Sequence, residues 1–214
     1  MPRNEQQNEK ARELRREQIR AEALRQFARK GLGAARIQDI AEGAGMAQGL
    51  LYHYYPSKEA IYMDLVRDAL DMTIQAAQGV RDMHVSAREK IEYALRELIS
   101  VIGRSDRFTQ TCSLNAQTPH VLALTQEEVA EIREKKQAPY RIVAEIMREG
   151  QREGSVVEGD ADALALLFWS SINGLAIYRV SHVYDGPMPD YRLLASMFLK
   201  NDNKMLSGIE NRGE

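Results

Sequence analysis

Cysteine is nearly absent from this 214-residue chain, and the single Cys112 excludes both an internal disulfide and a CxxC metal or redox pair. Such usage fits a reducing cytoplasm, where we expect the chain to reside. Long apolar runs are missing too. The longest uncharged stretch, Ala163 to Tyr178, has sixteen residues and includes two Ser, one Asn and one Gly. It is short and polar for a membrane span and reads as a buried helix. The opening MPRNEQQNEKARELRREQ contains no apolar h-region, so neither a secretory signal nor a membrane partner is expected. Catalytic signatures are lacking: HExxH, GxSxG, Walker A and a GxGxxG after a strand do not occur. His53, His84, His120 and His182 include no pair at metal-ligand spacing. These absences argue against an enzyme, a metal site or any other cofactor.

Apolar residues make up 44% and charged residues 28%, enough for a real core without wholesale disorder. The net charge of −2 hides an asymmetry. Residues 1–58 hold eleven Lys/Arg against seven Asp/Glu, whereas the rest holds eighteen against twenty-four. A basic head on an acidic body suits a nucleic-acid binder with a separate regulatory part.

No stretch alternates like a strand, and helical spacing dominates. Ile19, Ala23, Leu24, Phe27 and Ala28 mark one amphipathic helix, with Arg29 and Lys30 in its last turn and Gly31 as its C-cap. Ile37, Ile40, Ala41 and Ala44 define a short second helix ending at Gly45. Met46, Leu51 and Tyr55 define a third, ended by Pro56. Ser57 caps a fourth, striped by Ile61, Leu65, Ala69 and Met72. Segments 87–103, 125–152, 161–182 and 191–206 follow, with Pro139 expected to kink or split the second of these, Gly154 to end it and Asp160 to cap the next. The tails, about 1–10 and 207–214, are expected to be disordered. The fold class is all-α, with about nine helices: a three-helix head over 1–57 and a larger helical body over 58–214.

The stretch 31–58, GLGAARIQDIAEGAGMAQGLLYHYYPSK, carries the functional signal. Two short helices joined through Gly45-Met46 after a longer one form a helix-turn-helix. Ile40, Ala44, Met46 and Leu51 pack them onto Phe27 and Ile19, which leaves Gln48, Gly49, Leu50, Tyr52 and His53 outside. Gln48 suits adenine in a major groove, and Leu50 either touches a thymine methyl or stands idle. Gly49 permits close approach, while Tyr52, Tyr54 and Lys58 suit phosphates. Tyr55 is expected in the core. Arg3, Lys10, Arg12, Arg15 and Arg16 either reach the DNA or form a solvated helix face with their interleaved glutamates.

At Ile19, Ala23, Leu24, Phe27, Gly31, Ile37, Ile40, Ala41, Ala44, Gly45, Gly49, Leu51, Tyr52, Tyr55, Lys58, Glu59 and Ile61, the chain resembles the TetR (tetracycline repressor) family. EGQREGS at 149–155, followed by an Asp-initiated helix with Gly174, is a weaker echo. The resemblance implies a homodimer that binds a palindromic operator as a repressor and releases it when a small molecule enters the body. It carries DNA contacts over to Arg36, Gln38, Ala47, Gln48, Gly49, Leu50, Tyr52, His53, Tyr54 and Lys58. Two positions depart from the family's habit. Ala35 and Arg36 stand where Ser or Thr commonly caps the second helix, and Ala47 stands at the start of the recognition helix, where losing a cap costs ~1 kcal/mol.

The segment 161–182 is apolar around most of its circumference, which requires burial on more than one side. By resemblance, it and the last helix make the dimer interface, with Leu167, Ser170, Gly174, Leu194, Met197 and Phe198 as contacts. A largely apolar effector would lie among Met72, Phe108, Cys112, Tyr140, Met147, Trp169 and Asn173, apolar groups with a few polar handles. Control by a protein partner, activation instead of repression, and a redox role for Cys112 remain as alternatives, with a helical enzyme the remotest.

Overall fold

Ile19, Ala23, Leu24 and Phe27 recur on one side of the first helix, and all four are buried. That helix, α1 (Pro2–Ala34), opens a computed structural model whose described residues are 2–118, 125–183 and 186–201. Among them the chain forms nine helices, as expected. The others are α2 (Ile37–Gly43), α3 (Gln48–Leu51), α4 (Lys58–Arg81), α5 (Ala87–Arg104), α6 (Asp106–Gln117), α7 (Gln126–Arg152), α8 (Ala161–Val180) and α9 (Tyr191–Phe198).

Local chemistry sets most of the boundaries. Ser57, Ser86, Thr125, Asp160 and Asp190 each accept a backbone N–H at the start of a helix, and Ser86 and Thr125 form full capping boxes with Glu89 and Glu128. Gly31 adopts φ +73°, which interrupts α1 where the C-cap was expected, and one further turn follows. Helix α1 begins at Pro2, in contrast to the expected loose segment over 1–10. After Pro2 that segment is mostly Glu, Gln, Lys and Arg, good helix formers that prolong a helix anchored further along. The expected tail at 207–214 lies outside the described residues.

Two apolar cores result. The head core joins α1 to α4 through Phe27, Ile40, Leu51, Tyr55, Ile61 and Tyr62, and it also takes in Leu114 of α6 and Ile132 of α7. The body core gathers Ile91, Leu95, Ile102, Met147, Phe168, Ile172 and Phe198 from α5, α7, α8 and α9. Helix α4 serves both, with Ile61, Leu65 and Leu70 in the head core and Ala77 in the body core. It therefore bridges the two parts.

Three features differ from the sequence reading. Helix α6 was not anticipated: its sequence, DRFTQTCSLNAQ, is polar, and it is held by its Ser105 cap and by buried Thr109 and Leu114. Helix α7 runs through Pro139 as one helix, so of the two expected effects, kink or split, the split does not occur. Helix α9 stops at Phe198, because Leu199 turns extended and pairs antiparallel with Val156 through Val157 N–H to Phe198 O and Lys200 N–H to Ser155 O, each 2.9 Å. Helix α8 spans 20 residues with mean hydropathy 1.4, long and apolar enough to cross a membrane by length and composition alone. Ala161, Ala165, Phe168, Trp169, Ile172 and Ala176 nevertheless bury one side of it in the body core.

Candidate nucleic-acid interface and regulatory cavity

The turn between α2 and α3 is built by hydrogen bonds from Ala44 N–H to Ile40 O, Gly45 N–H to Glu42 O and Met46 N–H to Ala41 O. Gly45 sits at φ +67°, a conformation that disfavours any side chain. Neither Arg36 nor Ala47 makes a side-chain cap, so α2 and α3 lack the hydrogen bonds that Ser or Thr would supply. A four-residue helix without a cap has little stability of its own. Tertiary anchoring holds α3, with Leu51 fully buried and Tyr55 nearly so.

Everything else on α3 faces outward. Ala47, Gln48, Gly49, Leu50, Tyr52 and His53 are exposed, as are Arg36, just before α2, and Gln38 on it. Leu50 is 43% exposed and Tyr52 47%, so both are free to meet a partner. Arg36, Gln38, Gln48, Tyr52 and His53 make no side-chain hydrogen bond or ion pair among the described residues. A Cβ added at Gly49 would meet nothing within 4 Å, so nothing inside the protein requires glycine there. Tyr54 is half-buried against the head core.

Lys58 behaves differently from the expected phosphate contact. Its Nζ donates to the carbonyl oxygens of Leu32 (2.8 Å), Gly33 (3.2 Å) and Ala35 (3.0 Å). All three N–H donors are engaged, and the ammonium closes the end of α1 where the chain leaves the helix. Arg16 is likewise turned inward. Its Nε donates to Tyr55 Oη (2.9 Å), and Tyr55 Oη donates to Asp64 Oδ2 (2.5 Å). Arg16 and Arg20 both bond that same oxygen, and Arg20 also pairs with Asp68. Burial pushes the Asp64 carboxyl up, but the bonds from Tyr55 and Arg16 and the charges of Arg20 and Arg16 outweigh it and hold it below the usual carboxylate range. This cluster ties α1 to α4 directly behind the exposed face.

In the body, a cavity of about 400 Å³ opens between the end of α6 and one stripe of α7. Thr118 lines it from the first side, and Val129, Ile132, Arg133, Lys136, Gln137 and Tyr140 from the second. Of the expected pocket residues, Tyr140 alone lines this cavity. Met72 is 67% exposed on α4, and Met147 is fully buried in the body core. Phe108 and Cys112 pack against that core, where burial pushes the Cys112 thiol up to about 12. Trp169 donates Nε1–H to Pro139 O (3.2 Å), and its ring lies 6.1 Å from that of Tyr140. Asn173 is half-buried. Arg133, Lys136 and Gln137 escaped notice because charged and polar residues on an amphipathic helix normally mark its wet face. The available signal was their spacing, which falls on the same stripe as Val129, Ile132 and Tyr140.

The cavity wall and the head are joined. Thr118 and Tyr62 share a hydroxyl–hydroxyl bond (3.0 Å), and Tyr62 also donates to Leu114 O (3.2 Å). Tyr62 is fully buried, with its ring edge-on to Phe27 at 5.4 Å. On the other flank of α7, Glu131 takes a two-pronged pair from Arg67, and Lys135 pairs with Asp71, both on α4.

Of the expected dimer contacts, Leu167 (49% exposed) and Met197 (52%) lie open, and Ser170 is exposed as well. Gly174 is half-buried with open space around it. Leu194 is half-buried against the body core. Phe198 is corrected to a core residue: it is fully buried, 6.0 Å from Phe168. Leu166 (56%), Tyr178 (58%) and Leu193 (67%) extend the open apolar surface.

A two-core all-α protein that presents a glycine-turned helix pair and keeps a cavity in its larger part belongs to the class of helix-turn-helix regulators. The profile of bacterial regulatory proteins of the tetR family matches residues 19–65. Over 141 residues the chain is 30% identical to the HTH-type transcriptional repressor KstR2 of Mycolicibacterium smegmatis, spanning 66% of this chain and 67% of that protein. The chain belongs to the tetR family. In fold it is similar to the ketosteroid transcriptional regulator KstR2 of Mycobacterium tuberculosis, with TM-score 0.72 and 21% identity over 87% of this chain and 96% of that one. It is similar as well to AibR, solved in complex with isovaleryl coenzyme A and operator DNA, with TM-score 0.67 and 18% identity over 86% and 95%.

Proposed function

We propose that this protein is a cytoplasmic transcriptional repressor that binds a two-fold operator as a homodimer and releases it when a small molecule occupies the body. The observation that carries this reading is the outward face of α2 and α3, where Arg36, Gln38, Gln48, Tyr52 and His53 stand exposed without side-chain partners among the described residues. Gln48 reads a base edge, and Arg36 and Tyr52 hold phosphates. Lys58 is left out of this set.

Dimerisation follows from the apolar surface that α8 and α9 leave open around Leu166, Leu167, Tyr178, Leu193 and Met197. A second copy covers it by two-fold symmetry and sets the two α3 helices for successive major grooves, ~34–36 Å apart. Release runs from the cavity through Thr118, Tyr62 and the α4–α7 ion pairs to the head. A hundredfold loss of operator affinity needs ~2.7 kcal/mol of differential binding between the two states.

In vitro selection of duplexes by the wild type and by Gln48→Ala tests the reading. The wild type is expected to enrich an inverted repeat, and the variant to lose preference at one base pair per half-site. A monomer that enriches no sequence at moderate salt refutes it.

A further inference from the structure

Five of the six cations of α7 divide into two groups; the sixth, Arg152 in the last turn, has no carboxylate partner among the described residues and does not line the cavity. Lys135 pairs with Asp71, Arg141 with Glu134 and Arg148 with Asp162. Arg133 and Lys136, both on the cavity, have no carboxylate partner among the described residues. Lys136 Nζ donates to Asn115 O (2.5 Å), its one hydrogen-bond partner among the described residues. Burial pushes the Lys136 ammonium down from its usual range. A half-buried ammonium answered by one carbonyl is poorly compensated and favours an incoming anion. On the same stripe, Val129, Ile132 and Tyr140 offer apolar surface at helical spacing on either side of the two charges. A volume of about 400 Å³ lies in the range of small-molecule sites.

We propose that the effector is an organic anion with an apolar body, its acid group held by Arg133 and Lys136 and its apolar part laid along Val129, Ile132 and Tyr140. This narrows the effector class of the proposed function and rests on that reading for its biological meaning, though not for the binding itself. A neutral apolar molecule leaves Lys136 uncompensated and so binds more weakly. Carboxylates and phosphate esters meet the same requirement. Arg133 offers the two-pronged geometry that both accept.

The test uses octanoate, octyl phosphate and 1-octanol, which share a tail and differ in the head group. Trp169, the single tryptophan, reports binding by fluorescence because its ring neighbours Tyr140 on the cavity, and calorimetry provides a second measurement. At pH 7 and low salt, at least one anion is expected to bind ten times or more tighter than octanol, and the comparison of the two anions shows which acid group fits. Arg133→Gln/Lys136→Met is expected to bring all three probes within about threefold, with an unchanged melting curve, whereas Lys136→Arg keeps the preference. Octanol binding as tightly as both anions overturns the proposal, as does anion binding unaffected by the double variant. Failure of both anions to bind at millimolar concentration overturns it too. Anisotropy of the selected duplex in the same titrations separates the two readings. Charge-dependent binding without release upholds the anion site and sinks ligand-released repression, and release by neutral compounds alone does the reverse.

Discussion

Replacing Lys58 by Met removes one ammonium and keeps most of the stem, so it isolates what that charge does. Its three bonds go to carbonyls at the end of α1. Those to Leu32 and Ala35 are part-buried, and that to Gly33 is exposed. Each part-buried bond contributes about 1 kcal/mol and the exposed one almost nothing, so the variant should lose about 2 kcal/mol. For a chain of this length that lowers Tm by about 4–8 °C, measured at fixed protein concentration because dimerisation also shifts Tm. The companion measurement is operator affinity against salt. A lysine that neutralises a phosphate in each half-site contributes about 1.8 to the slope of log K against log salt for a dimer. The geometry forecasts a lower Tm with an unchanged slope. An unchanged Tm together with a slope reduced by about 1.8 would refute the helix-end role and return Lys58 to the DNA.

Tyr62→Phe should leave unliganded operator affinity intact, cost about 1 kcal/mol of stability, and reduce the loss of affinity caused by effector. Equal release by wild type and variant in an anisotropy titration breaks the proposed coupling through Thr118. Because the Asp64 carboxyl is held below its usual range, its contribution to stability is complete above the ordinary carboxylate pKa near 3.8 and disappears as pH falls through the lower folded value. The Tm gap between wild type and Asp64→Asn should therefore shrink from pH 6 to pH 3, and a constant gap contradicts the assignment. With its thiol pushed up to about 12, native Cys112 should react with a thiol reagent at pH 8 roughly a thousandfold more slowly than in denaturant; rates within tenfold of each other exclude that. Leu193→Glu, on a side chain 67% exposed, should yield monomers in sedimentation without lowering secondary structure, and an intact dimer would move the interface elsewhere.

The head was legible in the sequence because its spacing and its chemistry agree: Ile19, Phe27, Ile40 and Leu51 fall on buried faces, and Gly45 marks the turn. The outward polar set followed by subtraction, since what does not pack must face out. Lys58 was read toward the DNA, and the structure instead turns it to the end of α1, for a physical reason. A lysine at a helix start beside a DNA-facing turn has the right charge, and the carbonyls of Leu32 and Ala35 that capture it come from a distant part of the chain. The pocket was hardest to read. Phe108, Met147 and Trp169 are apolar as a pocket wall should be, but apolar residues fill cores equally well, and Met147 did so. What distinguishes the cavity is two cations on an otherwise packable stripe, a pattern that acquires meaning only beside the carboxylate partners of Lys135, Arg141 and Arg148 on the same helix. Phe198 shows the same ambiguity on α9, where neighbouring Met197 lies open.

Helix α3 sends one side chain, Leu51, wholly inward, and has open space around Gly49. Evolution can therefore rewrite the residues that meet the operator one at a time without disturbing how the head folds. A duplicated gene for such a protein could drift to a new target sequence while retaining its effector, or exchange effectors while retaining its target, because the two surfaces draw on different residues.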